Sequence, residues 1–367
     1  MRILIGGDFC PENRAEQLLR NGQSIFSQEF QELWDSTDFR ILNLEGPITD
    51  NLNKIIKVGR HIKFSPSIMS GLARMGVTHF SLANNHIMDY GKYGLKDTVK
   101  YLQDNNIDFF GIHSNPYTII EKDNIKVALL SFSNKEFSII EDNNGVGAFS
   151  IDIIDILKQI ERVKQITSNI VIILHTGLSK YPLPSPEQRK LCRFLIDNGV
   201  GAVLCQHSHI IGAYEHYNSG FISYGQGSFV FELNRSKSIW NQGYCILLSF
   251  KDDENSVSVI PHKQFDDTLN IRTLTHQEYT EFNNSLETEN KALNDHELFQ
   301  AAWHNYLNKV EKYYFNQFFL PRNRAVRKLL NTFNFKKMLS DKNRALLLNN
   351  LRNDEHLEVI RDLLKRD

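Results

Sequence analysis

Asn84, Asn85, His86 and Asp89 fall together in the run S-L-A-N-N-H-I-M-D-Y-G at 81–91. Amide oxygens are neutral ligands, an imidazole carries a proton near neutral pH, and a carboxylate three positions on can orient it. A capped turn uses the same residue types, so the run alone leaves both readings open. Its setting says more. Residues 77–82 ahead of it are apolar and β-branched, as in a buried strand, while Tyr90, Gly91 and Gly94 mark a turn that opens a helix. The polar cluster therefore leaves the carboxyl end of a strand, where open α/β sheets bind ligands.

Other residues of this chemistry repeat the placement. Asp8 follows the apolar run 2–6, Glu45 follows 41–44, His175 follows 170–174, and His207 and His209 follow 202–205. Carboxylate, amide and imidazole suit a hard or borderline divalent ion. A carboxylate shared by two ions holds them roughly 3.5–4 Å apart, and Glu45 is the candidate bridge. Asp8 and His209 would then serve one ion, and Asn85, His175 and His207 the other. Each residue also has an ordinary role. Asp8 could cap a helix, His175 could be a satisfied core histidine, and His207 and His209 could be loop residues. Jointly those roles need six coincidences at strand ends, and a site needs one.

The elements that must bring these ends together read as alternating strands and helices. Helices are expected over 14–33, 66–75, 92–105, 152–166 and 187–197, with further strands over 109–110 and 127–132 and a turn at 121–124. Beyond 200 the pattern becomes hairpins, with strands over 221–223, 229–231, 245–250 and 257–260. Residues 1–260 thus form a layered α/β domain with a mixed sheet. Residues 261–367 form a mostly helical extension, rich in helix formers and without glycine from 276 onward.

The extension holds Arg322, Arg324, Arg327, Lys328, Lys336, Lys337, Lys342 and Arg344 against Asp341. Such a cluster would suit an anionic partner or a membrane-associated machinery, although a solvated basic face is the plainer account. The chain as a whole, with 42 basic and 43 acidic residues in 367, carries a formal charge of -1, and nothing global draws it to nucleic acid. The first apolar run is too short for a signal-peptide core, and no segment reaches the roughly 18 apolar residues of a membrane span. Cys10, Cys192, Cys205 and Cys245 form no C-x-x-C pair, which fits a reducing compartment. The expected location is cytoplasmic, at most peripheral to the inner membrane.

Several motifs together resemble those of the CapA family of bacterial capsule synthesis proteins, which are similar to calcineurin-like metallophosphoesterases. They are G-G-D-F at 6–9, N-L-E-G-P at 43–47, L-A-N-N-H-I-M-D-Y-G at 82–91, L-H-T-G at 174–177, Q-H-S-H at 206–209 and Y-G-Q-G-S-F-V-F at 224–231. The resemblance covers about residues 1–260. It implies a four-layer α/β/β/α sandwich and two divalent metal ions, usually manganese, iron or zinc. It implies Asp8, Glu45, Asn85, His175, His207 and His209 as ligands, with His86 beside the substrate phosphate. Departures are Cys10 where phosphatases carry histidine, Glu45 for a bridging aspartate, Thr176 for tryptophan, Gln206 for glycine, and Gln226-Gly227-Ser228 in a glycine-asparagine turn. Cys10 is then either a thiolate ligand or a packing residue.

The function implied is metal-dependent phosphoester hydrolysis, or a transfer of related chemistry, in capsule or surface-polymer synthesis. His86, oriented by Asp89, would protonate the leaving oxygen. Asn84, Arg60 and His61 are the candidate substrate-binding residues. Two alternatives stay open: a binding or assembly subunit that holds an anionic surface polymer without turnover, and hydrolysis of an amide, as in poly-γ-glutamate, by the same activated water.

Overall fold

The computed structural model describes residues 1–57, 59–139, 145–232, 241–251, 255–264 and 270–319. Strands β1 (Arg2–Cys10), β2 (Phe39–Leu44), β3 (His79–Ser81) and β4 (Asp108–Phe110) pair in parallel in that order. The chain then builds a second sheet from β5 (Tyr117–Lys122), β6 (Ile125–Ser133), β7 (Ile170–His175), β8 (Ala202–Gln206), β9 (Tyr214–Tyr217) and β10 (Gly220–Ser223), in the spatial order β5-β6-β7-β8-β10-β9. It returns to the first sheet with β11 (Ser228–Phe231), β12 (Gln242–Ser249), β13 (Ser256–Gln264) and β14 (Ile271–Arg272). That sheet reads β14-β13-β12-β1-β2-β3-β4, with β11 pairing the far end of β1.

Strand alternation distributes the core into layers. Ile3, Ile5 and Ile41 of the first sheet meet Val127, Leu129, Val171, Ile173 and Leu204 of the second in one buried cluster between the sheets. Leu4, Phe9, Leu42 and Phe80 face the other way. They pack on α1 (Asn13–Arg20), α2 (Gln28–Asp35), α3 (Met69–Met75) and α4 (Gly91–Asp104) through Leu19, Phe30, Trp34, Leu72 and Leu95. The second sheet's outer face contacts α5 (Ile153–Lys164) and α6 (Pro186–Asp197). Helix, sheet, sheet, helix is the expected four-layer sandwich.

One irregularity sets the chemistry of β1. Ile5 pairs with Ile41, but Asp8 pairs with Asn43, so β1 spends one extra residue at Gly6-Gly7. A regular strand would put Asp8 on the face of Leu4, under the outer helices. The bulge moves it to the face of Ile3 and Ile5, toward the second sheet. Glycine is required there. A Cβ on Gly7 would lie 2.1 Å from the Gly227 carbonyl oxygen, and one on Gly6 would lie 2.5 Å from Leu42.

Three expectations about elements change. The single helix over 14–33 is two helices, because Gly22 turns at φ 65 and sends Ile25 and Phe26 into the core. The turn expected at 121–124 is shorter: Glu121 and Lys122 belong to β5, and Asp123 and Asn124, at φ 52 and 62, close a hairpin onto β6. Strand β9, which pairs β10, was not expected at all.

The chain has two compact units, Met1–Phe299 and Gln300–Asp367. The first continues past residue 260. Strand β14 pairs β13, and α7 (His276–Asn294), capped by Thr275 and Glu278, buries Phe282 and Leu286 in the cluster between the sheets. Helix α8 (His296–Phe319) begins in the first unit and leads into the second, where Trp303 and Tyr306 stack at 5.7 Å. The basic cluster from Arg322 to Arg344 lies outside the described residues. Among the described residues, no helix is long and apolar enough to cross a membrane.

Candidate metal centre

The ends of β1, β2, β7 and β8 and the loop after β3 meet at one rim between the sheets. Two groups of side chains there could hold a metal ion: Glu45 with His175 and His207, and Asp8 with Glu45 and His209. Glu45 belongs to both. The structure thus brings Asp8, Glu45, His175, His207 and His209 together in the two sets expected from sequence.

Asn85 completes the first-named group. His175 Nε2 lies 3.1 Å from Asn85 Oδ1, 3.0 Å from His207 Nδ1 and 3.8 Å from Glu45 Oε1. Ligand atoms about 2.1 Å from one ion stand roughly 3.0–3.4 Å apart in octahedral or tetrahedral arrangements, so this spacing suits an ion among them. In the other group His209 Nδ1 is 3.2 Å from Asp8 Oδ2, and His209 Nε2 is 3.7 Å from Glu45 Oε1.

Burial and charge prepare these groups for a cation. Burial, then the negative charges of Asp8, Glu136, Asp89 and Glu12, hold the Glu45 carboxyl well above its usual range. Its Oε2 is buried without a hydrogen-bond partner. A buried carboxylate oxygen left so costs about 1–3 kcal/mol or more, a deficit that a divalent ion would remove. Burial alone would raise Asp8, yet hydrogen bonds from His175 and His209 bring it well below the carboxylate range. Burial, reinforced by His175 and His209, pushes His207 well down, toward the neutral imidazole that metals bind. The donor set therefore fits divalent ions.

The backbone is committed to the same end. His207 and His209 hold φ 88 and 59, conformations that cost on the order of 1–3 kcal/mol each in side chains of this kind. The His207 amide donates to Asp8 Oδ2 at 3.0 Å, which helps hold the loop in that shape. Asn43 is a hub that sequence reasoning passed over. Its Nδ2 donates to Asp8 Oδ1 at 2.8 Å and lies 3.0 Å from His175 Nδ1, while its Oδ1 accepts from Asn84 at 3.0 Å. The signal was its position two residues before Glu45, on the same strand face.

His86 stands beside this cluster with Nδ1 2.7 Å from Asp89 Oδ2, as expected, and burial draws its pKa down. Lys57, not anticipated, is buried next to both. Its Nζ lies 3.0 Å from His86 Nδ1 and pairs with Asp89 Oδ1. Asp89 also accepts from the Ile62 amide at 2.7 Å, and its carbonyl accepts from Ile55 at 3.1 Å. It therefore holds the 55–62 loop as well as orienting His86.

Four expected site residues stand elsewhere. Cys10 joins neither metal group. It is fully buried in an apolar cluster, and burial, followed by the negative charges of Glu12 and Glu45, holds its thiol well above the usual range, which accords with packing. Asn84 is fully buried and spends its amide on Asn43 and the Leu44 carbonyl, which leaves no donor for substrate. Arg60 is turned outward onto Glu12, and His61 Nε2 lies 2.8 Å from the Ile55 carbonyl. Loop residues of unknown path carry no orientation signal in sequence.

The altered glutamines also have a place. Gln206 Nε2 donates to the Gly6 carbonyl and to Gln226 Oε1, each at 2.9 Å, and Gln226 Nε2 donates to the Ile5 carbonyl at 2.9 Å. They satisfy carbonyls at the β1 bulge and so support the strand end that presents Asp8.

Residues 2–233 match the family model described as bacterial capsule synthesis protein PGA_cap. The chain is 29% identical over 241 residues to the capsule biosynthesis protein CapA of Bacillus anthracis, a match covering 62% of this chain and 58% of the relative. It is 28% identical over 223 residues to the PGA biosynthesis protein CapA of Bacillus subtilis strain 168, covering 58% of each. The chain thus spans 58% of the length of these relatives. Among solved structures it is similar to Haemophilus influenzae NAD nucleotidase (NadN), at 12% identity and a TM-score of 0.44, over 85% of this chain and 67% of that one.

Proposed function

The chain belongs to the PGA_cap family of bacterial capsule synthesis proteins, and on that premise we propose that its rim is a two-metal site for hydrolysis of an anionic phosphoester in capsule or surface-polymer synthesis. One observation carries the reading. Ligand atoms from Glu45, Asn85, His175 and His207, delivered by separate segments of chain, converge at metal-ligand spacing, and Glu45 is shared with Asp8 and His209. Divalent manganese, iron or zinc bound there would supply an acidified water and draw charge from phosphoryl oxygens.

The chain's own residues do the rest. Asp8 and Glu45 provide the negative charge that the ions balance. Asp89 engages His86 at Nδ1 and orients the ring, so that a ring protonated at both nitrogens would give its Nε2 proton to the leaving oxygen and keep the Nδ1 proton on Asp89, a contribution of about a hundredfold or more. Lys57 balances Asp89, so the dyad brings no net negative charge to the path of an anionic substrate. Amide hydrolysis would use the same activated water and the same proton donor.

A second reading, an anionic-polymer binding subunit without turnover, is favoured by the group around His209. Among the described residues, it offers an ion three side chains of this type, Asp8, Glu45 and His209. Either role would suit a cytoplasmic, membrane-peripheral protein that meets a synthesis machinery through the basic residues from Arg322 to Arg344.

The test is metal analysis of purified protein beside a phosphoester panel, with His86→Ala and His207→Ala as variants. Two ions in the wild type and loss of turnover in both variants support the hydrolase. Ion-free protein that binds polymer as well as the variants do supports the second reading.

A further inference from the structure

Glu136, on the loop after β6, is not a ligand in either metal group, yet it touches the group around His175 from outside. Its Oε2 accepts a hydrogen bond from Asn85 Nδ2 at 3.0 Å, and its Oε1 lies 3.9 Å from His207 Nε2. The loop that carries it is tied to the end of β7: the Asn134 amide donates to the His175 carbonyl at 3.1 Å, and the Glu136 amide to the Asn134 carbonyl at 2.8 Å. The Glu136 side chain is about one-third exposed, at the outer edge of the group.

We infer that Glu136 is a positioning residue that sets the inward-facing atoms of both Asn85 and His207. This rests on the metal reading above. An amide has a ligating oxygen at one end and a donor at the other, and only the oxygen can bind a cation. By taking Nδ2, Glu136 turns Asn85 Oδ1 toward His175 Nε2, where the two stand 3.1 Å apart. An imidazole binds a metal through one nitrogen while its other N–H is held by an acceptor, commonly a carboxylate. His207 presents Nδ1 to His175 at 3.0 Å and Nε2 to Glu136. A small rotation closes the remaining gap, places the proton on Nε2 and leaves the Nδ1 lone pair facing the cluster. One carboxylate thereby selects oxygen-in for one ligand and lone-pair-in for another.

The test uses the full chain freed of metal and titrated with cobalt(II), followed by calorimetry and by visible absorption. Wild type, Glu136→Gln, Glu136→Ala and His209→Ala are compared. Glu136→Ala is expected to weaken one of two ions by about 10- to 100-fold and to change that ion's absorption band, while leaving the other ion and the ion-free melting temperature as in wild type. Glu136→Gln, which can accept from only one of the two partners at a time, is expected to fall between. His209→Ala is expected to weaken the opposite ion. Two ions held alike by wild type and Glu136→Ala would overturn the inference while leaving the metal reading intact. A wild-type chain that takes up no cobalt overturns both.

Discussion

The side-chain amide of Gln206 donates to the backbone carbonyl of Gly6 at 2.9 Å, joining positions 200 apart in sequence. Gln226 does the same for Ile5, and the two glutamines bond to each other. Removing either leaves a buried carbonyl at the β1 bulge unsatisfied. Gln206→Leu and Gln226→Leu are each expected to cost about 2 kcal/mol in urea denaturation, with the double variant costing clearly less than the sum. Strict additivity would show that the pair does not act as one support.

Glu45 buries one carboxyl oxygen, Oε2, without a hydrogen-bond partner. Glu45→Gln removes the charge while keeping the shape. In chelator the variant is expected to be as stable as wild type or more so, by on the order of 1 kcal/mol, and to lose most of the stabilisation that added divalent ions give wild type. Thermal melts with and without metal check this. An ion-induced rise in melting temperature equal to that of wild type would rule out Glu45 as a ligand.

Lys57 and Asp89 form a buried ion pair, and Asp89 anchors the 55–62 loop through Ile62. Lys57→Met strands the carboxylate and is expected to destabilise the protein by about 3 kcal/mol. Adding Asp89→Asn keeps an acceptor for the Ile62 amide and removes the stranded charge. Chemical denaturation of the double variant should therefore recover part of the loss. A double variant less stable than Lys57→Met would contradict the pairing.

Glu215, on β9, is bound by Arg193 at 2.6 Å, Arg189 at 3.0 Å and the Tyr224 hydroxyl at 2.7 Å. Burial alone would raise its pKa, but these donors lower it from 4.5 to about 2. A carboxyl with a depressed native pKa stabilises the fold fully above its unfolded value and loses that stabilisation as pH falls through the native one. Glu215→Gln should thus be less stable than wild type at pH 7, by about 3 kcal/mol. The gap should close between about pH 4.5 and pH 2, and melts across that range decide it. A gap unchanged at the acid end would mean that charge is not what holds this cluster.

Much of this is legible in the amino-acid sequence itself. Short continuous apolar runs leading to Asp8, Glu45, His175 and His207 announced strands with polar exits, because strands covered on both faces must be apolar until they leave the core. Pro66 and Gly76 bracketed a helical stretch, which opens as a 3-10 turn over Pro66–Ile68, continues as the α-helix Met69–Met75 and is closed by a left-handed Gly76 at φ 71. The break at Gly22 and the strand over Tyr214–Tyr217 were missed. One glycine inside an apolar stretch and a short run of mixed character give no local preference strong enough to overrule their neighbours.

Local chemistry therefore determined which residue types stand at the strand ends and that a divalent ion would suit them. The direction each one faces was decided by pairing across the whole molecule. The extra residue at Gly6-Gly7 carries Asp8 to the inner face, and Asn43 and Gln206 brace it there. The cations and anions around the site followed the same rule: Lys57 and Glu136 were brought in, while Cys10, Asn84, Arg60 and His61 were turned to other partners. Sequence order carries periodicity and composition. The partner of a loop side chain depends on distances between segments tens to hundreds of residues apart, and those exist only once the two sheets have packed.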